Sequence, residues 1–271
     1  MTREQYRKRW IRRHGRYEKQ AYKIFIKALR DMANNIPFEF LTLSNYNMII
    51  ESSVTQDDLI NAYYEVYDTI GKQEGEWVGK YINRQIKDFT LSSFLSEWDK
   101  RLLSWLLENS SFRVVTVRQD YIRFLQQFFA FGINDGKTIQ ELARELQKAI
   151  NKRNFYRWQA LRIARTETTA AANYATTISS SVSGVVQEKV WISARDARTR
   201  RPPKSNFNHF AMDGVRVDEN EPFNVSGEEL MYPGDPRGSA GNVINCRCTH
   251  ALVPKLDSTG RIIRTDRIRT V

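Results

Sequence analysis

A chain of 271 residues, 41% hydrophobic and 12% aromatic, is long and apolar enough to bury a core in one or two domains. No apolar run approaches the roughly 18–20 residues of a membrane span, and no apolar segment follows the basic N-terminus, so neither a span nor a signal peptide is expected. A net charge of +11 points to an acidic partner, nucleic acid or an acidic protein surface. Nothing resembles a motif that reads DNA bases, so a DNA contact would go to phosphates and weaken with salt.

The first 30 residues carry Arg3, Arg7, Lys8, Arg9, Arg12, Arg13, Arg16, Lys19, Lys23, Lys27 and Arg30 against Glu4 and Glu18 alone. Tyr6, Trp10, Tyr17, Tyr22, Phe25, Ile26 and Leu29 recur among them at helical spacing, which predicts a helix over 3–33 ended before Pro37. The charge reads either as a solvated basic face or as a polyanion contact through Arg7, Lys8, Arg9, Arg12, Arg13 and Arg16. Asp57 and Asp58 start the next helix, whose apolar face is Leu59, Ala62, Tyr63, Val66, Tyr67 and Ile70; Gly71, Gly75 and Gly79 weaken its continuation. Ser92 or Ser93 caps a third helix through Leu102, Leu103, Trp105 and Leu106, closed by Asn109 and two serines, and a fourth covers Val117 to Phe131. Thr138 and Glu141 form a capping-box pair before Leu142, Leu146 and Ile150. A long helix from about Phe155 to Ile178 follows.

At Val185 the composition changes. Val185 to Ile192 is rich in β-branched residues and predicts a strand, Val243 to Val253 a second one, with prolines and glycines frequent between them. The fold class is therefore α+β: a mostly helical N-terminal region, 1–134, a small loop-rich α+β domain, 135–253, and a basic tail, 254–271, with Arg261, Arg264, Arg267 and Arg269.

Three polar constellations stand out. Arg165, Thr166 and Glu167, with Asn173 behind them, lie on the long helix, where neither Arg165 nor Glu167 has an opposite charge three or four residues away. If buried, their partners are expected from the later domain. The second is Trp191 with Asp196, Arg198, Arg200 and Arg201, then His209, Asp213 and Gly214, a polar loop after a strand; Asp213-Gly214 also reads simply as a turn. The third is the Tyr232–Pro236 loop followed by Asn245, Cys246, Arg247, Cys248 and His250.

The two cysteines form no disulfide framework, and alternate strand residues about 6.6–6.8 Å apart sit at the upper limit for a bridge, so both are expected as thiols in a reducing cytoplasm. A zinc site from His209, Cys246 and Cys248, with or without His250, is the sharper reading; two small buried thiols among polar residues that hold loops together is the plainer one. In a straight strand Cys246 and His250 would stand about 13 Å apart, so one metal holding all four needs the chain to bend. Asp196, His209, Asp213, Glu228 and Glu229 fit no recognised catalytic spacing, so no catalytic or cofactor-binding residue is assigned and the chain is read as a non-enzyme.

Taken in order, Ile163 to Thr168, Trp191 with Asp196, Arg198, Thr199 and Arg200, His209, Met212, Asp213, Gly214, Phe223, the Tyr232–Pro236 loop and Asn245-Cys246-Arg247-Cys248 resemble the phage Mu F-like minor head family, also called phage head morphogenesis proteins. The resemblance covers about residues 135–253. It implies a minor capsid protein that associates with the portal protein in the assembling procapsid, beside other capsid or scaffold proteins, and helps head assembly or DNA delivery in the phage head. It also implies that Arg165, Glu167, Asp196, Arg198, His209 and Asp213 interlock the long helix with the loop-rich domain.

Overall fold

The computed structural model describes residues 1–86, 91–152 and 154–265. Among them the chain forms seven α-helices, α1 (Arg3–Asn34), α2 (Tyr46–Ser53), α3 (Asp57–Ile86), α4 (Leu91–Asn134), α5 (Ile139–Ile150), α6 (Arg157–Ser181) and α7 (Ala240–Val243). Five short strands join them: β1 (Gln187–Ile192), β2 (Arg216–Asp218), β3 (Phe223–Val225), β4 (Glu228–Leu230) and β5 (Thr249–Pro254). The fold is α+β, as expected. Two compact units are each assembled from separated stretches, one from Met1–Ala21, Val66–Leu106 and Arg162–Val271, the other from Tyr22–Glu65 and Leu107–Leu161.

The first unit holds the sheets. β1 lies between β2 and β5, antiparallel to both, with Trp191 opposite His250 and Ile192 opposite Thr249. β3 and β4 form a hairpin over Ser226 and Gly227, both at positive φ, the geometry of the tight turn that matches strand twist. Trp191, Met212, Phe223, Val225, Leu230, Cys246 and Cys248 pack into one buried cluster. The later turns of α3 bring Val78, Ile82 and Ile86 against Val185 and Leu252 in a second.

α3 runs straight through Gly71 and Gly75 for a packing reason. A Cβ on either would stand 2.8 Å from the Trp98 indole, so their bareness seats that ring, and the indole N–H donates to the Ala175 carbonyl. α4 corrects the two-helix reading of its region, since no break occurs at Asn109 and the serines after it, and Ser92 and Ser93 lie inside its first turn. The second strand is corrected too: β5 begins at Thr249, and Val243 ends α7. Between them Asn245 adopts φ 59°, so the chain bends where a straight strand was expected. Arg267 and Arg269 lie outside the described residues.

The second unit is helical. Phe25, Leu29, Ile50, Leu59, Tyr63, Tyr121, Leu125, Phe129, Leu142 and Leu146 are buried in it. The Tyr121 hydroxyl donates to the Leu29 carbonyl at 2.6 Å, and Arg118 donates to the Val54 and Glu51 carbonyls at the end of α2. The Thr138–Glu141 capping box opens α5 as the sequence indicates. No helix among the described residues is long and apolar enough to cross a membrane.

Candidate functional site

The bend at residues 244–248 takes main-chain groups out of sheet pairing, and buried main-chain polar groups need partners. α6 supplies them. Thr166, Thr169 and Asn173 stand three and four residues apart and so share one face. Thr166 Oγ1 accepts from the Asn245 N–H at 3.1 Å and passes its own proton to the Arg162 carbonyl. Thr169 donates to the Cys246 carbonyl at 2.5 Å. The Asn173 amide donates to the Pro233 and Cys248 carbonyls at 2.8 and 3.0 Å, while its oxygen accepts from Thr249.

The other clamp is the first half of α1, which the sequence alone assigns to solvent or a polyanion. Tyr6 donates to the His250 carbonyl, Trp10 to the Arg247 carbonyl, and Arg7 Nε to the Ser193 carbonyl. Arg7 is buried and grips both carboxylate oxygens of Asp213 at 2.8 Å. Asp213 also accepts from the Ser193 N–H and meets Arg3 and Arg195. Gly214 follows at φ 91°, where a side chain would be strained and a Cβ would collide with Arg3. Arg13 is likewise internal, paired in a bidentate contact of 2.8 Å with the fully buried Glu74 and stacked on Trp77. Arg7 and Arg13 thus serve the interior, whereas Lys8, Arg9, Arg12 and Arg16 are exposed.

His14 completes this clamp. The Thr169 proton is committed to Cys246, so the His14 ring donates to Thr169 Oγ1 at 3.0 Å. Burial, then Arg247, Arg165 and Arg198, push His14 down to about 3 and keep it neutral. Arg165 pairs with Glu18 at 2.8 Å and Glu167 accepts from the Tyr67 hydroxyl at 3.2 Å. The countercharge of Arg165 thus comes from α1 and a hydrogen-bond donor to Glu167 from α3, where the sequence reading looked to the later domain. Asp196 accepts from the Arg198 and Thr199 groups beside it and pairs with Arg247. Burial alone would raise the Asp196 carboxyl, but Arg247 and the donated hydrogen bonds outweigh it and hold it below the usual range. The Arg198 side chain is exposed and Arg200 donates to the Ile244 carbonyl.

Within this frame His209, Cys246 and Cys248 converge, all buried. The Cys246 and Cys248 sulfurs lie 3.5 and 3.7 Å from His209 Nδ1, and both cysteines are free thiols. His209 Nε2 meets Asn242 Oδ1, and the Asn242 amide donates to Glu228 at 3.0 Å. The hydrogen bond from Cys248 lowers the Cys246 thiol against burial, and the same contact together with burial raises Cys248. His250 stands apart on β5, its Nε2 at 3.5 Å from Thr177 Oγ1. Of the four candidate ligands read from the sequence, His209, Cys246 and Cys248 are brought together and His250 is not.

Residues 125–251, just under half of the chain, match the family model described as Phage Mu protein F like protein. That region resembles the Phage Mu protein F like family. The chain is also 25% identical over 205 residues to the uncharacterized protein YqbB of Bacillus subtilis (strain 168), a match covering 75% of this chain and 63% of YqbB, so it spans less than two thirds of that relative. No solved structure matches it at a significant level. The Mu F-like region contains the motif residues just described, and α6 is its scaffold. Three functional positions escape a reading of the Mu F-like motifs alone: Thr169, Asn242 and His14. Thr169 was within reach, since Thr166, Thr169 and Asn173 form a polar stripe at helical spacing in an alanine-rich helix. Asn242 and His14 carry no comparable local signal.

Proposed function

We propose that this protein is a structural minor head protein of a tailed bacteriophage which joins the portal during procapsid assembly and works in the phage head. The observation that carries this reading is the Phage Mu protein F like match over residues 125–251, a family of head morphogenesis proteins. The mode of contact follows from α1. With Arg7 and Arg13 engaged inward, Lys8, Arg9, Arg12, Arg16 and Lys19 remain exposed. At 100° per residue they fall within about 100° of arc around the helix axis, a one-sided cationic stripe. A stripe of this kind suits an acidic protein surface, and the portal or a neighbouring capsid or scaffold protein would provide it.

Co-expression with the portal protein of the same phage, followed by size-exclusion chromatography, tests the reading. Co-elution that persists at moderate salt is expected. Separate elution of two folded proteins would remove portal association. A second reading uses the same stripe for sequence-independent DNA contact during packaging or delivery, since phosphates would meet the same five cations. In that case three charge removals should flatten the slope of log K against log salt by about 3, at roughly 0.9 per phosphate contact. Binding with an unchanged slope would remove the DNA contact from this face.

A further inference from the structure

We propose that His209, Cys246 and Cys248 bind one zinc ion through Nδ1 and the two sulfurs, with a solvent molecule as fourth ligand. The three donor atoms lie within 4.8 Å of one another. A tetrahedral zinc with metal–nitrogen and metal–sulfur bonds of about 2.05 and 2.3 Å separates nitrogen from sulfur by about 3.6 Å. The observed separations of 3.5 and 3.7 Å bracket that value.

The proton arrangement of the ring is that of a ligand. Glu228 as a carboxylate only accepts, so the Asn242 amide nitrogen faces it and the Asn242 oxygen faces His209. Nε2 must then carry the ring proton, which leaves the Nδ1 lone pair directed at the thiols. A ligating histidine held through its other N–H is the usual outer support of a zinc site. Without a metal, two thiols converge on one lone pair that can accept a single S–H. With zinc, two thiolates and a dication sum to zero, and burial no longer disfavours them.

The chain is shaped for this set. In a straight strand Cys246 and Cys248 would share one face but stand about 6.6–6.8 Å apart along it. The bend at Asn245, clamped by Thr166, Thr169 and Asn173, instead brings both sulfurs to one point. A small cavity bordered by Arg198, Arg200 and Arg247 reaches the same three donors and leaves the fourth position to solvent. Two sulfurs and one imidazole suit zinc and disfavour magnesium and calcium, which take oxygen. His250 lies outside the cluster and does not contribute. The ion would tie the loop at His209 to the segment before β5, so binding would also strengthen the fold.

The test uses the full chain, purified without chelators from zinc-supplemented cells. Elemental analysis should give about one zinc per chain. Replacement by cobalt(II) should give the visible bands of a tetrahedral site and a thiolate charge-transfer band, both absent from Cys246→Ser and His209→Ala but kept by His250→Gln. Should the ligand variants fail to fold, Asn242→Ala retains every ligand, and competition with a chromophoric chelator should show zinc held about 10–100-fold more weakly. Folded protein that takes up neither zinc nor cobalt would overturn the proposal. So would a cobalt band that persists in Cys246→Ser or vanishes in His250→Gln.

Discussion

Asn173 serves three partners with one amide: the Pro233 and Cys248 carbonyls and the Thr249 hydroxyl all depend on it. Removing it strands two buried carbonyls, each worth roughly 1–3 kcal/mol when left unpaired. Asn173→Ala should therefore lose about 3 kcal/mol of unfolding free energy in denaturant titration, and a loss below about 1 kcal/mol would show that the clamp is dispensable. His14 gives a pH signature. Its folded pKa of about 3 lies below the ordinary 6.5, so the unfolded chain binds the extra proton between those values. The contribution of His14 is whole above pH 6.5 and is lost as pH falls from 6.5 toward 3. A His14→Gln variant, which keeps a donor toward Thr169, should lose less stability than the wild type across that interval, and equal losses would contradict the assignment. Asn173 and Thr166 were legible as polar positions on an apolar helix, but their partners were not, because the contacts span up to 79 residues and end on main-chain groups that every residue possesses.

The elements show where local chemistry suffices. The α5 start was legible because a capping box lies within four residues of itself. Asn109 and the serines after it look like a helix end, yet α4 continues, since tertiary context overrides weak propensity. The three glycines of α3 were legible only as weakness, whereas Gly71 and Gly75 are clearance for Trp98. Gly75→Ala tests this at the element scale. In a solvent-facing helix position it would stabilise by up to about 1 kcal/mol. Against the Trp98 indole it should instead destabilise by roughly 1–3 kcal/mol in thermal or denaturant unfolding, and a gain in stability would refute the packing role. Likewise Asn245 tolerates the left-handed region better than most residues, but β-branched neighbours made the surrounding stretch read as one strand.

At the scale of the molecule, the net charge of +11 conceals a division of labour that only packing reveals. Arg7 and Arg13 neutralise Asp213 and Glu74 inside the first unit, and such pairs are costly to break because the remaining charge stays buried. Lys8, Arg9, Arg12, Arg16 and Lys19 are left to face outward. One helix thereby fastens the motif region with one face and offers a cationic stripe with the other, which is why charge counting along the sequence could name the helix but not sort its arginines. The most direct measurement is the affinity of the full chain for its portal protein at several salt concentrations, compared with an Arg9→Glu, Arg12→Glu, Arg16→Glu variant. The variant should keep the wild-type unfolding midpoint within a few degrees, bind at least about ten-fold more weakly and lose most of the salt dependence. Equal affinity and equal salt dependence in a folded variant would contradict the account.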